Sequence, residues 1–333
     1  MRRTQRRESA IIVAQPATIM DVCEKLRSKL KEAVAQNRAE GMLLSGGLDT
    51  SILAFVARPK IGFTVALKGA PAPDLVYSER VAKLLRMQHK KIEFTKEEAL
   101  SALPEVIRIL RTFDLALPND ISIYFGLKLA VENGVRSVMT GDGADELFAG
   151  YSYMAELSPE DLGSYIRRLS ENWRFSTVEL GRALDVDVRQ PFLDEDLVGF
   201  ALEVSPELKV KDGVGKYILR RSFENLLPGE LVWRRKEPIE CGSGSAKLHE
   251  IIRNMVTDEE YRSAADKVDI KFINKEHFFY WRIYNEVVGE ISRAAGDEVA
   301  CPCCGATMGA YHCRTCGFSR PSLQGPFSNP FAQ

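Results

Sequence analysis

Met42-Leu43-Leu44 is a short apolar run that passes straight into Ser45-Gly46-Gly47-Leu48-Asp49-Thr50-Ser51 and then into an apolar stretch reaching Val56. Strand, glycine turn and helix in that order present backbone amides to an anion, because glycine lets the backbone come close and the helix N-terminus adds about half a positive charge. Ser45 and Thr50 add hydroxyl donors. Asp49 beside a phosphate is repulsive unless a divalent cation stands between them, so its presence predicts Mg²⁺. The loop has no Lys-Ser/Thr ending of the Walker type, which argues against hydrolysis of a terminal phosphate in that style.

The layout returns further along the chain. Residues 136–140 read as a strand ending in Gly141-Asp142-Gly143-Ala144-Asp145-Glu146, and the three acids of that turn repel one another unless a metal or another cation offsets them. Two such loops, each after a buried strand, are expected to face one polyphosphate and metal site. Between them, residues 61–67 and 89–94 read as strands, and 75–85, 104–111 and 121–132 as helices. Ahead of both, residues 18–35 carry Ile19, Val22, Leu26, Leu30, Ala33 and Val34 at helical spacing, with Thr18 as N-cap. The alternation predicts an α/β fold, a doubly wound and mostly parallel sheet that binds ligands at the carboxyl ends of its strands. Residues 158–292 read as nearly all helical, broken at Gln190-Pro191-Phe192-Leu193-Asp194 and at a Gly/Ser-rich stretch from Cys241 to Ser245.

The chain has 333 residues, 45% apolar and 27% charged, enough for a full core and unlike a disordered segment. A net charge of -1 gives no global preference for nucleic acid or anionic membrane. No apolar run reaches the roughly 18 residues of a membrane helix, and the basic start lacks the apolar part of a signal peptide, so the expected location is cytoplasmic. Five of the seven cysteines fall in Cys301-Pro302-Cys303-Cys304-Gly305 and Cys313-Arg314-Thr315-Cys316-Gly317. Two Cys-x-x-Cys knuckles, each followed by glycine, predict a structural Zn²⁺ on Cys301, Cys304, Cys313 and Cys316. Cys303 breaks the spacing and reads as a spectator; it or His312 is the substitute ligand. The unit resembles a zinc ribbon, and a closed four-thiolate site staples structure or binds a partner, such as tRNA or a protein, rather than catalysing. The expected division is a helical extension over 1–39, an ATP-handling domain over 40–295, the ribbon over 296–320 and a loose tail over 321–333.

Ser45-Gly46-Gly47-Leu48-Asp49-Thr50-Ser51, Phe63-Thr64-Val65-Ala66-Leu67, Thr140-Gly141-Asp142-Gly143-Ala144-Asp145-Glu146-Leu147-Phe148-Ala149-Gly150-Tyr151, Pro191-Phe192-Leu193-Asp194 and Lys216-Tyr217-Ile218-Leu219-Arg220 through Arg234-Arg235-Lys236-Glu237 resemble, in order, the synthetase domain of class B asparagine synthetases. The resemblance implies an N-type ATP pyrophosphatase (PP-loop) fold. It implies a ligase in which Mg-ATP converts a carboxylate to its acyl-adenylate with release of pyrophosphate, and ammonia then displaces AMP. It further implies that Leu44, Val65, Thr140 and Gly141 hold the adenosine part, that Ser45, Gly46, Gly47 and Thr50 cradle pyrophosphate, and that Asp49 and Asp145 ligate Mg²⁺. Lys236 matches the family's lysine against the phosphates, and Lys216 and Asp142 fall in its catalytic motifs. The neighbouring Gly242-Ser243-Gly244-Ser245 reads as a flexible lid.

Three positions depart from the family pattern. Position 2, where the nucleophilic cysteine of the family's glutaminase domain would stand, is Arg2, so ammonia is expected to arrive free or from a separate protein. The acid of the family's Thr-Gly-Glu-Gly is shortened to Asp142. The family's Arg-Ala-Ser element reads Asn119-Asp120-Ile121-Ser122, which places an acid where a base meets a substrate carboxylate and leaves the acceptor open. Two rivals follow from the same residues: a tRNA sulfur transferase using Cys241 as its thiol, and a non-catalytic nucleotide-binding protein.

Overall fold

The computed structural model describes residues 18–171, 173–265, 267–309 and 312–319. Position 2 and the tail from 321 lie outside the described residues. Thr18 accepts from the Asp21 amide while Asp21 answers at the Thr18 amide, a capping box that satisfies two otherwise unpaired donors. The helix it starts, α1 (Ile19–Gln36), buries Leu26, Leu30, Ala33 and Val34 as read from the sequence, while Ile19 and Val22 are half-buried and Cys23 is buried beside them.

There follow β1 (Gly41–Leu43), α2 (Leu48–Ala57), β2 (Ile61–Leu67), α3 (Pro73–Leu85), β3 (Gln88–Phe94), α4 (Lys96–Leu110), α5 (Leu117–Glu132), β4 (Ser137–Met139), α6 (Ala144–Phe148), α7 (Pro159–Ser170), α8 (Ser176–Ala183), β5 (Asp187–Arg189) and α9 (Glu195–Glu203). Four short helices, α10 (Pro206–Lys209), α11 (Tyr217–Phe223), α12 (Gly229–Val232) and α13 (Ile239–Gly242), lead to α14 (Lys247–Asn254), α15 (Asp258–Ala265) and α16 (Lys275–Val287).

The strands form a five-stranded sheet in the order β3-β2-β1-β4-β5, and every pair is parallel. The fold is therefore the expected doubly wound α/β sheet. The chain runs outward from β1 through β2 to β3, then returns to the other side of β1 with β4 and β5. Neighbouring strands diverge in connection between β1 and β4, which is where such sheets open a crevice at their carboxyl ends. Parallel strands bury both faces, and the two larger of three apolar clusters among the described residues result. Phe63, Phe94, Ile107, Leu127 and Phe279 belong to one, and Leu26, Leu30, Met42, Leu53 and Phe148 to the other.

Two local readings are corrected. The stretch read as helical contains β5, whose three residues are too few to show a period of two and which is specified by pairing with β4. Pro104 lies inside α4 rather than starting it, because a capping box between Thr95 and Glu98 begins the helix earlier. Among the described residues no helix is long and apolar enough to cross a membrane.

Candidate active site and metal centre

The loop after β1 is held in shape by its own side chains. The Ser45 hydroxyl accepts from the Gly47 amide at 3.1 Å and lies 3.1 Å from the Thr50 hydroxyl, which also reaches the Gly47 carbonyl at 3.3 Å. Gly46 sits at φ +69°, and a Cβ there would overlap the backbone of Tyr77 in α3. Both the left-handed backbone and the close approach require glycine. Leu44, buried at the end of β1, donates to the Phe63 carbonyl at 2.8 Å and accepts from the Thr64 hydroxyl at 2.5 Å. Val65 lies two residues beyond Phe63 on β2, half-buried. On the other side of the crevice, the Thr140 amide donates to the Arg189 carbonyl at 2.9 Å. A Cβ on Gly141 would stand 3.3 Å from Asp49 Cβ and 3.4 Å from Thr50 Cγ2, so the two loops touch there.

Four charged side chains meet in the crevice. Lys216 Nζ lies 2.5 Å from Asp49 Oδ2 and 2.7 Å from Asp145 Oδ1, and Lys236 Nζ lies 2.9 Å from Asp145 Oδ2. Lys216 is the left-handed N-cap of α11 and is buried; a side chain at Gly150 would overlap its Cε and the Asp145 carboxylate. Burial alone would raise Asp145, but Lys216 and Lys236 outweigh it and hold the carboxyl down to about 2. Burial likewise works against the Lys216 ammonium, and the two carboxylates overcome it and raise its pKa. Asp49 is pushed up, chiefly by burial, and its buried Oδ1 has no hydrogen-bond partner.

Asp142 does not join this group. Its Oδ2 accepts from Thr140 Oγ1 at 2.7 Å, Thr177 Oγ1 at 2.6 Å and Gln190 Nε2 at 2.8 Å. Thr177, on α8, carries no local sequence signal for this role; Gln190 stands just ahead of the Pro191-Phe192-Leu193-Asp194 motif. Arg234, two residues before the candidate Lys236, stands in the motif quoted from the sequence but was given no role there. Its guanidinium stacks 4.0 Å over Tyr77, bonds Asp74 Oδ1 at 2.9 Å and reaches the Ser45 carbonyl at 3.3 Å. Burial raises Asp74 to about 6 even beside that cation.

The segment expected to be a flexible lid is packed. Gly242, Ser243, Gly244 and Ser245 are buried. The hydroxyls of Ser122, Ser243 and Ser245 bond one another at 3.0–3.1 Å, Ser243 accepts the Leu67 amide at 2.9 Å, and a Cβ at Gly242 would overlap Asp74. Beneath it, His249 lies between Glu240 (3.4 Å) and Glu276 (2.7 Å), which together outweigh burial and raise its pKa to about 9. Asn119 clasps Glu240, donating to Oε2 at 3.1 Å and accepting its amide at 2.8 Å. Asp120 is pushed up to about 7, mainly by burial. Cys241 is exposed, and burial of its surroundings, with Glu240 and Glu237 nearby, raises its thiol.

The sulfurs of Cys301, Cys304, Cys313 and Cys316 all lie within 4.8 Å of one another and are buried. The two knuckles repeat one backbone pattern. Cys301 and Cys313 each donate to a carbonyl five residues on, Ala306 and Phe318, at 2.8 Å, and each accepts from the glycine four residues on at 2.9 and 2.8 Å. Those glycines, Gly305 and Gly317, have φ of +73° and +74°. Four thiols at tetrahedral spacing fit a thiophilic ion such as zinc. Cys303 instead gives its thiol to the Lys271 carbonyl at 3.0 Å.

The family model described as asparagine synthase matches residues 25–182 and 178–287. The asparagine synthetase [glutamine-hydrolyzing] of Cricetulus griseus is 32% identical over 281 residues, covering 77% of this chain and 50% of that protein. The probable asparagine synthetase [glutamine-hydrolyzing] of Dictyostelium discoideum is 30% identical over 321 residues, covering 82% and 57%. The chain thus spans about half the length of the curated relatives it matches. Among solved structures, the U34-tRNA thiolase NcsA of Methanococcus maripaludis aligns with a TM-score of 0.33 and 16% identity over 68% of this chain and 80% of that one, too distant to bear on function.

Proposed function

The chain belongs to the asparagine synthase family of ATP-dependent ligases, and from that premise we propose that it adenylates a carboxylate and converts it to an amide. The observation that carries the reading is the meeting of Asp49, Lys216, Asp145 and Lys236 where β1 and β4 part, beside the Ser45 to Thr50 loop. Pyrophosphate lies in that loop, held by its amides and hydroxyls, and the adenosine part lies along Leu44, Val65, Thr140 and Gly141. Asp49 and Asp145 hold Mg²⁺, for which the unpartnered buried Oδ1 of Asp49 is a fitting donor. When bound, that ion offsets the phosphate charge that two carboxylates would otherwise repel. A carboxylate oxygen of the acceptor attacks the α-phosphorus, and the bond to the β-phosphate oxygen breaks, releasing pyrophosphate. Ammonia nitrogen then attacks the acyl carbon, loses a proton, and AMP departs.

Within this scheme the two lysines divide the work. Lys216, 2% exposed, fixes both carboxylates from behind. Lys236, 33% exposed, has the freer ammonium, which faces phosphate charge as it moves onto the leaving group. Asp142 acts from its three-donor setting beside the nucleotide loop. Ammonia comes free or from a glutamine-hydrolysing source, the acceptor is a small or macromolecular carboxylate, and the four cysteines hold zinc.

The experiment is product analysis of Mg-ATP incubated with ammonium and a panel of carboxylates. AMP and pyrophosphate formed together with an amide are expected. ADP and orthophosphate would overturn the reading. Elemental analysis checks zinc, and an iron–sulfur chromophore would overturn that assignment.

A further inference from the structure

The four-cysteine unit is joined to the crevice by a continuous set of contacts. Thr315, between Cys313 and Cys316, accepts from the Phe113 amide at 2.8 Å and from the Thr112 hydroxyl at 3.3 Å. Asp114 lies 3.3 Å from His312 Nε2 and accepts the Ala116 amide at 3.0 Å. Gly317 stands so near that a Cβ there would overlap the Asp114 carboxylate. Ala116 is the N-cap of α5 and has no side chain able to cap it, so Asp114 serves an orphan donor of the helix start from outside. One turn further, Asp120 is buried on α5, which packs against α8, and Ser176, the first residue of α8, lies near its carboxylate. The next residue, Thr177, gives its hydroxyl to Asp142 at 2.6 Å.

Other elements grip the unit from the far side. His277 of α16 accepts the Ile273 amide at 3.1 Å on Nδ1, which leaves the proton on Nε2 to donate to the Cys316 carbonyl at 2.9 Å. Lys271 N–H and Arg293 Nη1 bond the carbonyls of Cys303 and Cys304 at 3.0 and 3.1 Å. The cysteines share one apolar core with Phe113 and Tyr284. A ribbon presented to a macromolecule would leave these carbonyls to solvent or to the partner; here they are spent on α16 and on the chain that flanks it.

We propose that the metal-loaded four-cysteine unit is an internal brace of the active site. It fixes the turn 112–117 and the first turns of α5 and α8, and through Thr177 it keeps Asp142 in its three-donor setting. Only the catalytic consequence rests on the ligase reading above. Four thiolates hold a closed geometry while the ion is bound, and without it the bonds that tie one knuckle to the other are lost.

Hydrogen exchange followed by mass spectrometry on the full chain tests this, comparing protein loaded with zinc, stripped with a zinc chelator, and reloaded with zinc chloride alone. Stripping should raise exchange at least tenfold in 112–122 and 176–182, with less than a twofold change in 41–67 and ATP affinity by calorimetry within threefold. Reloading should restore protection. Asp114→Ala, which keeps all four cysteines, should retain one zinc per chain yet raise exchange in 176–182 and lower the turnover number at least tenfold with KM for ATP unchanged. Change confined to 300–319 would make the unit an appendage, and uniform change across the chain would make it a general staple; either overturns the brace. If no carboxylate supports AMP formation, the ligase reading fails while the exchange pattern still decides the brace.

Discussion

Lys216 Nζ lies 2.5 Å from Asp49 Oδ2, a contact between residues 167 positions apart. The same ammonium meets Asp145, so one buried cation separates two half-buried anions. Removing one partner of a buried ion pair leaves an uncompensated charge and typically costs about 3–5 kcal/mol. Lys216→Met is therefore expected to destabilise by about that amount, and adding Asp49→Asn and Asp145→Asn should recover most of the loss. Urea unfolding of the three proteins checks this; a loss of under about 1 kcal/mol for the single variant would contradict it.

Asp49→Asn and Asp145→Asn should each lower AMP formation by on the order of 10²-fold or more, since each removes charge from the proposed magnesium site. Asp49→Asn should keep its fold, because burial raises Asp49 and Lys216 retains Asp145 as partner, whereas Asp145→Asn, which removes the carboxylate paired with both lysines, should also lose stability. Circular dichroism and AMP release, measured together, separate the two effects; wild-type turnover in either variant would refute the metal assignment.

Asp120 gives stability a pH dependence of known sign. Its folded pKa is pushed up to about 7 from an ordinary 3.8, mainly by burial, with Ser176 opposing and Asp114, Glu179 and Glu240 adding to the rise. Between those values the folded chain binds more protons than the unfolded one, so stability falls as pH rises from about 4 to 7 and is level beyond. A shift of that size corresponds to roughly 4 kcal/mol. Asp120→Asn should gain more stability over wild type at pH 8 than at pH 5, since wild type has lost only part of this contribution by pH 5. Unfolding curves at both pH values test this, and an equal gain at both would show that the effect is not ionisation.

Cys241→Ser is expected to retain most AMP-forming activity. A thiol whose pKa is raised by burial and by Glu240 and Glu237 carries little thiolate near neutrality, and thiolate is the reactive form. Loss of product with adenylate formation intact, read by pyrophosphate exchange, would favour sulfur transfer instead.

What could be read from the sequence was what chemistry forces into contiguous residues. A phosphate turn needs its glycines and hydroxyls within a few positions, and a thiolate knuckle needs its fixed spacing, so Ser45 to Thr50 and the four cysteines were legible as they stand. The setting of Asp142 was not, because Thr177 and Gln190 lie 35 and 48 positions away. Gly242 to Ser245 misled for a different reason. Small residues compose both loose and tight chain, and here Gly242 is small because Asp74 occupies the space a side chain would take. Lys216 was found by its motif, but its place between two carboxylates depends on Gly150, whose role only packing reveals.

The strand order β3-β2-β1-β4-β5 also governs how the molecule comes together. β1 pairs with β2 after one short crossover, but β4 reaches the other flank of β1 only after β3, α4 and α5 have been laid down. The acidic turn after β4, and Lys216 further on, arrive later still. Contacts between such distant segments close large loops and form slowly. An emerging or truncated chain that ends before β4 would carry half of the proposed phosphate cradle with Asp49 facing no counter-charge, so on that proposal nucleotide capture has to await the last strands of the sheet.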